Sequence, residues 1–337
     1  MHYFVTGHTG FKGAWLCYLL LNKGHEVSGY ALDPEPGSLY AETGISQKMK
    51  SDHRADIRDS NVLKKAIQES NPDHVIHMAA QPLVREGYRD PVATFEINVT
   101  GTLNLLQATR QHSSIRSQVI VTTDKVYKNK NQREGYVESD ELGGDDPYSA
   151  SKAMADILTQ SWIKSFSGIP TGIARAGNVI GGGDTSKDRL FPDLIRSYKD
   201  GLPAELRFPN AVRPWQHVLD CLNGYLLLCE ALERGIKGSA WNFGPAEDEF
   251  IEVKQVAEIV ADLWRVSPAW KEQEGEHPHE ANFLALNSDK ARTELGWAEK
   301  YKFIEGVTRT SQWYSKVESG MTKEEATHLE IQDFLAN

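Results

Sequence analysis

The chain has 337 residues, 40% of them hydrophobic and 25% charged, which is typical of a globular protein with one large domain or two unequal ones. Its formal net charge of -10 argues against nucleic acid or an anionic membrane as a partner. The three cysteines form no CxxC motif, so we expect reduced thiols. No apolar run reaches the length of a membrane span, and the first strand begins too close to Met1 for a signal peptide. We therefore expect a cytoplasmic protein.

A glycine-rich loop follows the first predicted strand. The apolar run at residues 3–5 leads into this loop, and an amphipathic helical stretch at residues 14–22 follows it. The loop has the spacing GxxGxxG and reads Thr6-Gly7-His8-Thr9-Gly10-Phe11-Lys12-Gly13. A strand, a glycine loop and a helix in this order are typical of a dinucleotide site, because glycine lets the backbone approach a pyrophosphate and the helix start offers free N–H groups.

The second predicted strand covers residues 26–33 and ends at an acid. Asp33 stands roughly 20 residues after Gly13, where a carboxylate binds the adenosine ribose 2′-OH of a dinucleotide. An acid at this place repels a 2′-phosphate, so Asp33 favours NAD over NADP. The alternative is that Asp33 only caps a helix or turn before Pro34.

Strands and helices then alternate. We predict a helix at residues 60–69, a buried strand at 74–78 that ends in Ala79-Ala80-Gln81, a long helix at 91–112 that carries Asn98, and a strand at 118–122 that ends in Thr123-Asp124-Lys125. This alternation predicts an α/β fold with a Rossmann-type, doubly wound parallel sheet, in which the strand ends and their motifs converge.

The later part of the chain is less regular. A strand at residues 171–176 leads into a glycine-rich loop at 177–184, which we take as the domain boundary. We expect the segment from Arg213 to His217 to open an apolar helix that reaches about residue 232, and we predict another strand at 239–244. The expected domains are an NAD-binding domain at 1–177, to which 215–245 returns, and a smaller, mainly sugar-nucleotide-binding domain at 178–337.

Tyr148 is the only one of the twelve tyrosines that has a lysine four positions later. Pro147 suits the first position of a helix, on which Tyr148 and Lys152 share a face. A nearby ammonium lowers the pKa of a tyrosine, and we expect Tyr148 to take a proton from a sugar hydroxyl. The alternative is a packed tyrosine beside a solvated lysine.

The segment Glu276-His277-Pro278-His279-Glu280 contains residue types that bind metals. Pro278 prevents the helical i,i+4 spacing of two ligands, and no further ligand cluster is evident. We therefore expect a surface or substrate loop and no metal.

These motifs together resemble the extended short-chain dehydrogenase/reductase superfamily over nearly the whole chain. Longer stretches are similar to the CDP-glucose 4,6-dehydratases, namely residues 7–13, 79–85, 174–184, 213–217 and 275–281. The resemblance implies NAD as the cofactor, CDP-glucose as the substrate, and a homodimer or homotetramer built on a dimer formed by a helix pair.

The resemblance also implies the reaction. Tyr148, supported by Lys152 and Thr123, removes the 4-OH proton while C4 is oxidised; Lys125 then removes the C5 proton and Asp124 protonates the departing 6-OH. In the related dTDP-glucose dehydratases the triplet is Thr-Asp-Glu, and lysine at its third position is what the CDP-glucose enzymes show. Lys125 must be neutral to act as a base. The alternative for Asp124 and Lys125 is a structural ion pair.

The remaining expected site residues fall into two groups. Cofactor contacts are expected from Gly7, Thr9, Gly10, Phe11, Lys12, Gly13, Asp33, Asp56, Ile57, Ala79, Ala80, Gln81, Asn98, Tyr148 and Lys152. Substrate contacts are expected from Gln81, Arg85, Arg175, Asn178, Arg189, Arg213 and His217, with arginine suited to bind phosphate oxygens in pairs. Trp215 and Phe208 could pack on the base, although core packing is the usual role of an aromatic side chain.

Three other functions share parts of this pattern. A 4,6-dehydratase of a dTDP-, GDP- or UDP-linked sugar differs only in the recognition of the base. A nucleotide-sugar 4-epimerase shares the glycine loop and the Tyr148–Lys152 pair, but it does not require an acid and a base after Thr123. A non-enzymatic NAD-binding sensor commonly lacks the tyrosine–lysine pair.

Overall fold

The computed structural model describes residues 1–166, 168–246, 250–275 and 283–336. Its centre is a seven-stranded sheet in which every neighbouring pair is parallel. The strands are β1 (His2–Thr6), β2 (Glu26–Ala31), β3 (Ser51–Arg54), β4 (His74–His77), β5 (Ser117–Val121), β6 (Thr171–Ala176) and β11 (Ala240–Phe243). Their order across the sheet is β11-β6-β5-β4-β1-β2-β3.

Helices cover both faces of this sheet, as a parallel sheet with crossover connections requires. They are α1 (Phe11–Asn22), α2 (Ser60–Ser70), α3 (Val84–Arg89), α4 (Pro91–Phe95), α5 (Gly101–Thr109), α6 (Pro147–Ser165) and α8 (Val218–Glu233). Side chains of α2 and α5 pack on Phe4 and Ile120 on one face, whereas α1 and α8 pack on Val5 and Val119 on the other. The predicted doubly wound α/β fold is confirmed.

The second part of the chain forms smaller elements beyond the carboxyl ends of the strands. The strands there are β7 (Asn178–Ile180), β8 (Ala204–Leu206), β9 (Val212–Arg213), β10 (Trp215–His217), β12 (Ile251–Glu252) and β13 (Trp270–Glu272). They pair two by two, as β10 with β7, β12 with β9 and β13 with β8. The helices are α7 (Leu190–Lys199), α9 (Val253–Trp264), α10 (Asp289–Leu295), α11 (Phe303–Glu318) and α12 (Lys323–Ala336).

Two predicted elements are wrong in detail. The segment from Arg213 to His217 does not open a helix, because Arg213 pairs with Ile251 and residues 215–217 pair with β7; α8 begins only at Val218, where His217 caps it. The predicted long helix at 91–112 is divided by a π-helical turn, Glu96–Thr100, and ends at Thr109.

Two further observations concern the helices and the cysteines. Within the described ranges, none of the helices combines the length and the apolar character that crossing a bilayer demands. Cys17, Cys221 and Cys229 are all free thiols in the core.

Candidate active site

Four neighbouring strands deliver the predicted motifs to one edge of the sheet. In the strand register Thr6 lies beside His77, His77 beside Ile120, and Ile120 beside Ile173, so these strands end close together. The segments that follow them line a single cleft between the sheet and the smaller elements. The glycine loop, the Thr123–Lys125 turn and the start of α6 meet there.

The glycine loop fits a dinucleotide pyrophosphate. Gly7 has φ of 73°, and a Cβ on it would stand 2.7 Å from the backbone nitrogen of Ala79. A Cβ on Gly13 would stand 2.1 Å from the carbonyl oxygen of Gly7. Helix α1 starts after Gly10 with no side-chain cap, so its first N–H groups remain available to an anion.

Side chains of the glycine loop extend toward both ends of this pyrophosphate site. Thr9 donates a hydrogen bond to the carbonyl oxygen of Leu32 (3.0 Å), just before Asp33, which is exposed beyond the end of β2. Phe11 and Lys12 line the cleft, and the Lys12 ammonium donates to the hydroxyl of Tyr225 (3.2 Å). Burial lowers the pKa of Lys12.

Asp56 and Ile57, both predicted cofactor contacts, lie after β3. The Asp56 carboxylate is bound by the Arg58 guanidinium, with Nη2 to Oδ2 at 2.6 Å. Ile57 is buried, and its side chain approaches Gly101 of α5. In the structure, Asp56 therefore forms an ion pair and Ile57 packs in the core.

Asn98 is held away from the cleft. It is 1% exposed, its Oδ1 accepts from the backbone N–H of Gln81 (2.8 Å), and its Nδ2 donates to the carbonyl oxygen of Gln81 (3.1 Å) and to Ser151 Oγ (2.8 Å). The predicted direct contact with the cofactor is corrected: Asn98 fixes the backbone of Gln81, next to Ala79 and Ala80, against the Tyr148 helix.

The Gln81 side chain is also occupied. Its Nε2 donates to Thr94 (2.8 Å) and its Oε1 accepts from the backbone N–H of Leu83 (2.5 Å). These bonds hold the loop between β4 and α3, whose residues Pro82, Leu83 and Val84 line the cleft.

Tyr148 lies on the first turn of α6, which begins at Pro147 as predicted and is capped by Asp146. The side chain is half-buried and lines the cleft, as Thr123 does. Burial raises the pKa of Tyr148 to about 12, although the nearby Thr123 hydroxyl opposes the change. The expected lowering of this pKa by Lys152 is therefore corrected: desolvation of the phenolate is the largest cause of the shift, and the cation that opposes it is Arg189.

Lys152 lies one turn along α6 and is 5% exposed. Its ammonium donates to the carbonyl oxygen of Val121 at 2.8 Å. Burial, followed by repulsion from Lys12, lowers the pKa of Lys152 to about 7, while Asp156 raises it. The lysine is thus poised between its charged and neutral forms near neutral pH.

The turn after β5 brings Thr123, Asp124 and Lys125 into the cleft. Thr123 Oγ1 donates to Asp124 Oδ1 at 2.8 Å, and the Lys125 ammonium is 3.8 Å from the same oxygen. Asp124 is 1% exposed, and its Oδ2 has no hydrogen-bond partner among the described residues. An orphaned carboxylate oxygen at the cleft is suited to a hydroxyl group of a substrate.

Cationic side chains line the other side of the cleft. Arg85, Arg189 and Arg213, three of the predicted substrate contacts, are among them. Asn178, a fourth predicted contact with a neutral amide, also lines the cleft. Arg207 also lines the cleft, and it is not among the predicted substrate contacts.

Acids accompany these arginines. Arg85 Nη1 is 2.9 Å from Asp188 Oδ1, Arg207 donates to the Asp188 carbonyl oxygen (3.2 Å), and Arg189 Nη1 is 3.0 Å from Asp184 Oδ2. Sequence reasoning missed Asp184 and Asp188, because an acid in the sequence carries no sign of which arginine it meets in the fold.

Two predicted substrate residues do not reach the cleft. Arg175 is fully buried and its guanidinium binds Asp156, Tyr127 and the carbonyl oxygen of Glu138. His217 is 1% exposed and caps α8 by accepting from the backbone N–H of Leu219. Both predictions of a substrate contact are corrected, since neither side chain is accessible.

The segment from Glu276 to Glu280 lies outside the described residues. Of the aromatic candidates, Phe208 and Trp215 both line the cleft, and Trp215 is 5% exposed.

Comparison with known proteins is consistent with this geometry. The family model described as "NAD dependent epimerase/dehydratase family" matches residues 3–244. The chain is 40% identical to a CDP-glucose 4,6-dehydratase of Salmonella typhimurium, over 99% of this chain and 96% of that protein. It is 29% identical to a dTDP-glucose 4,6-dehydratase of Xanthomonas campestris pv. campestris, over 92% of each.

Solved structures share the fold over nearly the whole chain. A crystal structure of dTDP-glucose 4,6-dehydratase from Streptomyces venezuelae with NAD and TYD bound has a TM-score of 0.83 at 25% identity and covers 95% of this chain and 98% of its own. The Bacillus anthracis dTDP-glucose 4,6-dehydratase in complex with NAD has a TM-score of 0.82 at 24% identity, with the same coverage. The matching family model and the full-length similarity agree with the cleft described above: this chain belongs to the NAD dependent epimerase/dehydratase family.

Proposed function

We propose that this protein is an NAD-dependent 4,6-dehydratase that converts CDP-glucose into CDP-4-keto-6-deoxyglucose and water. One observation carries the proposal. Tyr148, which has Lys152 one turn after it on α6, lines the same cleft as an acid and a second lysine, Asp124 and Lys125. A 4-epimerase does not require the second pair. The 40% identity to a CDP-glucose 4,6-dehydratase supports cytidine as the base.

The first task of the site is to remove a proton from the 4-OH. Tyr148 and Thr123 both line the cleft, and Lys152 is one helical turn after Tyr148 on α6. Because burial raises the pKa of Tyr148, the phenolate needs the combined positive charge of Lys152 and of an oxidised nicotinamide. When bound, NAD supplies the redox chemistry, in which C4 is oxidised first and C6 is reduced last.

The second task is the loss of water. A ketone at C4 acidifies the C5 proton, which Lys125 takes in its neutral form. Asp124, whose Oδ2 is free of protein partners among the described residues, gives its proton to the 6-OH as the C6–O bond breaks. The double bond that forms between C5 and C6 is then reduced, so the sugar loses one water and has no net change in oxidation state.

The two ends of the cleft bind different ligands. We propose that the first N–H groups of α1 bind the NAD pyrophosphate and that Asp33 binds its adenosine ribose. Arg85, Arg189, Arg207 and Arg213 neutralise the diphosphate of the sugar nucleotide. Residues 1–177, with α8 and β11 added, are then the NAD-binding part, and 178–337 mainly hold the sugar nucleotide. Reduced, buried thiols are consistent with a cytoplasmic enzyme.

An apolar surface on α4 and α6 supports a dimer built on helices. Val92 is 67% exposed, Met154 48% and Ile157 53%, and Val92 and Met154 line the same groove. Contiguous exposed apolar side chains are typical of an interface between subunits. We propose that the protein is a homodimer joined through this surface, or a homotetramer built from two such dimers.

Glutamate in place of Met154 or Ile157 is expected to give monomers, because a charge in an apolar interface lacks compensation for its lost hydration. Sedimentation velocity over a range of protein concentrations measures the effect. Leu263→Glu is the matched control, since Leu263 on α9 is 46% exposed outside this surface. A dimer that survives in both α6 variants, or a wild-type protein that is always monomeric, contradicts the proposal.

The activity itself is tested with CDP-, dTDP-, GDP- and UDP-glucose, each incubated with the protein and NAD and analysed by mass spectrometry. We expect CDP-glucose alone to lose one water. Loss of water from another nucleotide sugar would reject the choice of base. Conversion of a glucosyl to a galactosyl nucleotide without loss of mass would instead favour the 4-epimerase.

A further inference from the structure

A fully buried ion pair lies directly behind the cleft. Asp156 and Arg175 are 0% and 1% exposed at their side chains, and they bind through two parallel hydrogen bonds, Nε to Oδ2 and Nη2 to Oδ1, both 2.8 Å long. Both residues also form hydrogen bonds to other side chains. The proposed reaction assigns neither residue a chemical role, and neither reaches the substrate.

The pair binds both flanks of the Thr123–Lys125 turn. On one side, Thr122 Oγ1 donates to Asp156 Oδ2 at 3.1 Å. On the other side, Arg175 Nη1 donates to the hydroxyl of Tyr127 at 2.8 Å, and this hydroxyl donates in turn to Asn242 Oδ1 at 2.7 Å. The turn that carries Asp124 and Lys125 is therefore tied down immediately before and soon after its catalytic residues.

The same pair also belongs to the tyrosine helix. Asp156 is on α6, one turn after Lys152 and two turns after Tyr148. Arg175 is on β6, next to β5, from which the turn emerges. Three elements, β5, β6 and α6, therefore share one rigid connection whose geometry is set by a planar guanidinium and a carboxylate.

We propose that Asp156 and Arg175 are positioning residues, which hold the Thr123–Lys125 turn and the Tyr148–Lys152 helix in the one relative placement that allows both proton transfers. The inference rests on the proposed dehydratase function. A purely structural role requires only that the pair stabilise the fold. Positioning requires in addition that the pair keep its hydrogen bonds to Thr122 and Tyr127.

Mild variants test the two flanks separately. Thr122→Val and Tyr127→Phe each remove one hydroxyl from the network and leave the ion pair intact. We expect kcat for the loss of water to fall by about tenfold in each, with KM changed by less than about twofold, since small misplacements of catalytic groups act mainly on the reaction step. Gln160→Ala is the matched control: Gln160 also donates to Asp156 Oδ1 (2.8 Å), but it contacts no part of the turn, and kcat should stay at the wild-type value.

A double variant separates positioning from stability. Removing one member of a buried ion pair is strongly destabilising, whereas replacing both by apolar residues of similar volume is often neutral. We therefore expect Asp156→Leu combined with Arg175→Met to unfold near the wild-type temperature and to have kcat about 100-fold lower. Thermal unfolding and steady-state kinetics measure the two effects.

The outcomes are distinct. If the folded double variant has wild-type kcat, or if Thr122→Val and Tyr127→Phe both keep full activity, the pair is structural and the inference is overturned. Should the double variant not fold, the two mild variants decide. A wild-type protein that dehydrates no nucleotide sugar would refute the proposed function instead, before any variant is compared.

Discussion

Replacing Tyr148 by phenylalanine is expected to lower kcat for dehydration by about 10³-fold, which corresponds to about 4 kcal/mol of transition-state stabilisation. The variant keeps the ring at the start of α6 and loses only the hydroxyl. Without this hydroxyl the proposed base for the 4-OH proton is lost, so oxidation of C4 fails and the later steps do not begin. Single-turnover formation of reduced NAD with CDP-glucose measures the first step directly.

Binding should survive in this variant. Titration with NAD and with CDP is expected to give affinities within about threefold of the wild type, because neither the glycine loop nor the cleft arginines change. Tyr301→Phe is the matched control, since this tyrosine is buried far from the cleft and its hydroxyl has no hydrogen-bond partner among the described residues. A Tyr148→Phe enzyme that forms reduced NAD at the wild-type rate would remove Tyr148 from the mechanism.

Replacing Lys125 by alanine is expected to separate oxidation from elimination. Tyr148 and Lys152 remain, so C4 is still oxidised, but the C5 proton has lost its base and dehydration falls by about 10²-fold. In deuterated water the wild-type product carries deuterium at C5, whereas the variant should accumulate reduced NAD and exchange C5 slowly. Mass spectrometry of the sugar and absorbance of reduced NAD measure the two events.

Two comparisons sharpen this result. Lys128→Ala removes a lysine three positions later that pairs with Glu141 at the surface, and it should leave all rates unchanged. Asp124→Asn should keep exchange at C5 and block the loss of the 6-OH, since only the proposed acid is removed. Full-rate exchange at C5 in Lys125→Ala would show that another group is the base and that the contact with Asp124, at 3.8 Å, is only an ion pair.

Local sequence patterns were sufficient to predict the parts of the site that depend on the backbone. The glycine spacing after β1 and the Pro147 start of α6 each follow from the conformational limits of one residue type, and both are found where the pattern predicts them. The alternation of strands and helices likewise gives the parallel sheet, because crossover connections leave few other arrangements.

Long-range partners account for most of the errors. Arg175 looks like a substrate ligand in the sequence, but Asp156, which neutralises it, lies on a different element. Asn98 lies in a π-helical turn and binds Gln81 and Ser151, partners that its position in the sequence does not reveal. The segment around Pro214 is predicted to open an apolar helix, whereas pairing with β7 and β12 makes it extended.

The outermost strand on one side of the sheet has a consequence for biosynthesis. β11 covers the free edge of β6, yet the ribosome makes it only after the whole segment that builds β7–β10, α7 and α8. Until residues 240–243 emerge, the nascent chain exposes an apolar strand edge on which another polypeptide could add. A gene fragment that stops at residue 177 would therefore encode an incomplete, aggregation-prone module. The two parts of this enzyme cannot be separated by dividing the chain at one position.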